Sequence, residues 1–86
     1  MAEREATELL ELLDNLRPNM FERIVDKYDT YGSIHQYGYE KFLVNLAKNY
    51  GQFVEAVVYN DDIRLKVKGV DIINIVLMIL KVMEEN

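Results

Sequence analysis

A reactive site needs side chains that exchange a proton, attack a carbon or hold a metal, and the 86 residues of this chain offer few of them in useful company. His35 is the only histidine, with Asp29 and Glu40 its nearest carboxylates in sequence. Catalytic sites are recognised by converging roles, so an imidazole without partners at motif spacing reads as a capping or surface residue. Ser33 is the only serine, Thr7 and Thr30 are the only threonines, and none has a base spaced to activate it. The adjacent carboxylates Asp61 and Asp62 have the chemistry for a hard cation. Calcium, however, takes six or more oxygens from a loop of defined length, and Asn60-Asp61-Asp62 has the composition of an ordinary turn. Cysteine is absent, which excludes disulfides, thiol redox chemistry and thiolate metal sites. Gly32, Gly38, Gly51 and Gly69 are dispersed and lack the Lys-Ser/Thr ending of a phosphate loop. The chain is therefore read as a non-enzyme, with no catalytic residue, no metal ligand set and no cofactor.

Residues suited to binding are more plentiful. Four of the six tyrosines (28, 31, 37 and 39) crowd one short region. A tyrosine joins apolar area to a polar tip, which suits both a partner interface and the edge of a small core. Both readings stay open. Arg64, Lys66 and Lys68 alternate, so on a strand they share one face. A nucleic-acid contact would combine them with Lys41, Asn45 and Lys48 from a preceding helix. The formal net charge of −5 weighs mildly against a nucleic-acid-coating protein.

These residues have to be positioned by elements whose periods are visible. Leu9, Leu10, Leu12, Leu13 and Leu16 give an amphipathic helix near 3–16, and Pro18 is expected to end it and open a second helix near 19–30. Ser33-Ile34-His35-Gln36 has the form of a capping box. A third helix follows near 39–50, with Gly51 as its C-terminal glycine. Runs near 53–59 and 62–68 then alternate around Asn60-Asp61. They fit a β-hairpin that pairs Val58 with Ile63, Ala56 with Leu65 and Val54 with Val67, and sets Glu55 opposite Lys66. Asp71 caps a final helix near 71–84, with Val70 stapled on Ile75.

The expectation is a single α+β domain over residues 1–86: three N-terminal helices, a two-stranded antiparallel hairpin and a buried apolar C-terminal helix. Its core should hold Leu9, Leu13, Phe21, Ile24, Val25, Phe42, Leu46, Val58, Leu65, Ile73, Val76 and Leu80. That element order resembles a winged-helix domain with an added C-terminal dimerisation helix. The resemblance implies a DNA-binding regulator with residues 39–50 as recognition helix, although the stretch from Asp29 to Gly38 is longer than a helix-turn-helix turn.

The C-terminal helix is apolar nearly all round, and so short a chain lacks a second layer to cover it. A homodimer is expected, with Ile72, Ile75, Val76, Ile79, Leu80 and Met83 in the interface. The favoured functional reading is a small acidic, cytoplasmic, dimeric module acting through protein–protein contact. The DNA-binding regulator is the alternative. No membrane span is expected, since the apolar run is short and carries Asp71, Asn74 and Lys81.

Overall fold

The computed structural model describes residues 1–85 as three long helices: α1 (Ala2–Tyr31), α2 (Tyr39–Val58) and α3 (Asp62–Glu85). A single 3₁₀ turn, η1 (Ile34–Gln36), joins the first two. There is no strand among the described residues, so the α+β class, the β-hairpin and the winged-helix likeness are all incorrect. The hairpin fails because periods of two and of 3.6 coincide over short runs: Val54 and Val58 are two strand steps apart, but they are also one helical turn apart. Phe42, Leu46, Phe53 and Ala56 keep a helical frame straight through Gly51, and burial of Phe42 and Ala56 fixes it. A mid-helix glycine costs only about 1 kcal/mol relative to alanine, too little to end a helix whose flanks pack.

The turn residues were legible; the elements they join were not. Asn60 is in the left-handed region (φ 54). Its N–H donates to the Val57 carbonyl at 3.3 Å, while the Asp61 N–H donates to the Ala56 carbonyl at 2.9 Å, which together make a Schellman closure of α2. Asp61 then caps α3, its Oδ1 accepting from the Arg64 N–H at 3.0 Å. Asn and Asp serve a helix–helix turn as readily as a hairpin turn.

Two other expected boundaries dissolve. Pro18 lies inside α1 with its ring exposed, and α1 runs on to Gly32, where φ of 84 closes it. Gly69 lies inside α3, against α2: a Cβ there would sit 3.4 Å from Phe53 Cε2. Asp71 is consequently in mid-helix rather than at an N-cap.

The core is thin. Met20, Phe42, Ala56, Val70 and Ile75 are its buried apolar side chains. Of the expected core, Phe42 is buried and Leu13, Leu46, Leu65 and Ile73 are half-buried, whereas Leu9, Phe21, Ile24, Val25, Val58, Val76 and Leu80 are exposed. The chain exposes 6720 Å², where a folded monomer of 10.1 kDa is expected to expose about 5,300 Å². Its radius of gyration is 14.2 Å, against about 12 Å for a compact domain of this length. Both excesses have one source: a 30-residue helix is about 45 Å long, and α3 covers only part of α1.

Candidate functional site

Where α1 does meet α3, the contact is polar. Asp71 is 4% exposed and receives two parallel hydrogen bonds from Arg23, Nε to Oδ1 at 2.9 Å and Nη2 to Oδ2 at 2.7 Å. Such a fork-to-fork pair is the geometry in which a guanidinium grips a carboxylate most strongly. It holds the Arg23 guanidinium above its ordinary pKa, the hydrogen bond to Asp71 outweighing the loss of water around it. One turn on, Asn74 donates Nδ2–H to the Met20 carbonyl at 3.2 Å. Asn74 Oδ1 is buried without a partner.

Beside this clamp a cavity of about 230 Å³ opens between the second half of α1, η1, α2 and α3. Its rim carries lysines: Lys27 from α1, Lys41 and Lys48 from α2, and Lys68 from α3. Two of them rest on tyrosine rings, Lys41 Nζ 4.4 Å from the Tyr37 centroid and Lys27 Nζ 5.5 Å from that of Tyr31. Burial pushes the Lys68 ammonium below its ordinary pKa; Asp71 opposes the shift, while Lys27, Arg23 and Arg64 add to it. Tyr37 is fixed from two sides, its ring edge-on to Phe42 at 5.8 Å and its hydroxyl donating to the Tyr31 carbonyl. The tyrosine cluster is thus divided: Tyr37 is half-buried in the cavity wall, while Tyr28, Tyr31 and Tyr39 are exposed.

Of the residues expected to contact nucleic acid, the structure brings Lys41, Asn45, Lys48 and Lys68 to this cavity and leaves Arg64 and Lys66 out of it. On a helix, Arg64 and Lys68 keep a common face and Lys66 leaves it; Arg64 pairs with Glu55 at 3.3 Å. The expected interface residues of α3 are also divided. Ile75 is in the core, Ile72 and Ile79 are half-buried, and Val76, Leu80 and Met83 are exposed along one side. His35 ties η1 to the end of α3 through Nδ1, 3.2 Å from Glu85 Oε2. Ser33 caps η1, its hydroxyl accepting from the His35 N–H at 3.2 Å. No group of three or more potential metal ligands gathers among the described residues.

Sequence reasoning missed Arg23 and Lys27, and it marked Tyr28 only as part of the tyrosine cluster. Their spacing, like that of Lys41, Asn45 and Lys48, marks one side of a helix, but only the pairing of α1 with α3 turns those sides toward each other. No protein-family model matches the chain, and no curated protein or solved structure is significantly similar to it.

Proposed function

We propose that this protein is a non-catalytic, homodimeric helical module that acts through protein–protein contact, with the N-terminal half of α1 as its main self-association surface. One observation carries the reading. The side of α1 that meets α3 at Met20 continues unchanged in character through Leu16 and Leu13 to Leu9, while its cover runs out. Met20 is 7% exposed, Leu16 and Leu13 are half-buried, and Leu9 is 67% exposed. The stripe is built for burial along its whole length and is covered over half of it.

A second copy fits the gap in amount as well as in character. The surface exposed beyond that of a compact monomer is about 1,400 Å², and a standard interface takes about 800 Å² from each partner. Val76, Leu80 and Met83 supply a further exposed apolar row on α3. No helix of the described residues is long and apolar enough to cross a membrane. Sedimentation of the parent chain and of Leu9→Glu/Leu12→Glu tests the reading. Both side chains are more than half exposed, so the substitutions spare the fold. A dimer that the glutamates convert to a helical monomer supports it; a monomeric parent overturns it.

A further inference from the structure

The cations of this chain are not distributed evenly. Arg4, Arg17, Arg23, Arg64 and Lys81 each pair with a carboxylate. The other five, Lys27, Lys41, Lys48, Lys66 and Lys68, have no such pair among the described residues, and all but Lys66 line the one cavity beside the clamp. The chain as a whole has five more acidic than basic groups. Among the described residues the only carboxylate in the cavity wall is Asp71, whose oxygens accept from Arg23.

Four lysines drawn from three helices line the cavity, and the single carboxylate among them is shared with Arg23. Two are parked on tyrosine faces, an arrangement that orients an ammonium without cancelling its charge. Lys68 is held in a part-buried position that disfavours its charge, a cost that an anion would offset.

From this convergence we propose that the cavity binds a small organic diphosphate carrying a planar ring, with Lys27, Lys41, Lys48 and Lys68 facing the phosphoryl oxygens and Tyr28 receiving the ring. Charge selects the diphosphate. A phosphate monoester brings about −1.5 to −2 at neutral pH, which leaves the four lysines about half compensated, and a second phosphoryl group closes most of the remainder. Shape and lining select the ring. Tyr28 lines the cavity, is 60% exposed and has neither a lysine nor another ring on its face. Asn45 and Gln52 add amides able to meet polar ring edges. At about 230 Å³ the cavity lies below the about 300 Å³ from which ligand sites usually run, so it encloses part of one such molecule and not a polymer. No residue of the N-terminal half of α1 lines it, so ligand binding and self-association are separable.

Calorimetry with ADP, GDP, CDP and UDP, alongside AMP, adenosine and inorganic pyrophosphate, tests the proposal on the full chain. At least one nucleoside diphosphate is expected to bind ten-fold or more tightly than its monophosphate, its nucleoside or pyrophosphate, and to weaken as salt rises. Lys41→Gln/Lys68→Gln should lower that affinity by at least ten-fold, whereas Lys66→Gln should leave it within two-fold. Leu9→Glu/Leu12→Glu should bind as the parent does, even if the assembly reading fails. The proposal is overturned if no diphosphate binds at millimolar concentration, if pyrophosphate binds as well as the nucleotides, or if the lysine pair has no more effect than Lys66→Gln. Binding of duplex DNA or an acidic peptide through the same lysines, without nucleotide binding, also overturns it.

Discussion

Removing either half of the Arg23–Asp71 pair should not cost the same, because its two ends are buried to different depths. The Asp71 side chain is 4% exposed and the Arg23 side chain 33%. Arg23→Met strands a carboxylate that is almost wholly buried, which costs about 3–5 kcal/mol in comparable buried pairs. Asp71→Leu strands a guanidinium that is one-third exposed and can turn to solvent, so solvent screening reduces the cost to about 1–3 kcal/mol. The double variant removes both charges and leaves apolar side chains facing each other. It should fall within about 1 kcal/mol of the parent, because the desolvation of the pair nearly cancels its attraction. A domain of this length has about 4–13 kcal/mol in all, so Arg23→Met alone takes a large share. Urea unfolding followed by circular dichroism, at one fixed protein concentration, measures the three values. The reasoning is refuted if Asp71→Leu costs more than Arg23→Met, or if the two single costs simply add in the double variant.

Glycines within the helices give an opposed pair. Gly51 has nothing within 4 Å of an added Cβ, so Gly51→Ala should stabilise by about 0.5–1 kcal/mol. Gly69 faces the Phe53 ring, so Gly69→Leu should destabilise by about 1–3 kcal/mol through overpacking, and both read out as shifts in melting temperature. At the α2–α3 turn, Asp61→Ala removes the cap on the Arg64 N–H and should cost about 0.5–2 kcal/mol in urea unfolding. Lys68 has a folded pKa below its unfolded value near 10.5. Its burial therefore penalises folding in full below the folded pKa, and the penalty fades as pH rises toward 10.5. Lys68→Met should accordingly gain most over the parent at pH 7 and least above pH 10, as read from urea midpoints at the two pH values; an unchanged gain contradicts the burial argument.

How much of this was legible in the sequence follows from which forces are local. The helical character of residues 3–16, 19–30, 39–50 and 71–84 could be read, because amphipathic spacing acts within a few turns. The end of helix near residue 30 could be read for the same reason, and so could Ser33 as a cap. Residues 53–68 were misread because their alternation satisfies two periods at once, and the burial of Ala56 and the fit of Phe53 over Gly69, both tertiary, select the helix. Pro18 misled because an in-helix proline loses one hydrogen bond and crowds the carbonyl four residues back, a cost of about 3 kcal/mol that a 30-residue helix carries here on its exposed side. The cavity was half visible: Lys41, Asn45 and Lys48 stood out as one side of a helix. Tyr28 stood out only as one of the clustered tyrosines, and Lys27 and Arg23 did not, since nothing in their own neighbourhood announces α3. Asp71 read as a cap because an Asp before an apolar run so often is one, and its guanidinium partner is 48 positions away.

Self-association is the claim on which the functional account rests, and sedimentation equilibrium of the unmodified chain at micromolar concentration tests it most directly. The account predicts a species of twice the 10.1 kDa chain mass, dissociating to a still-helical monomer when Leu9 and Leu12 are both replaced by Glu. A single species at the chain mass, unchanged with concentration, would contradict it and leave the ridge from Leu9 to Leu16 uncovered in solution.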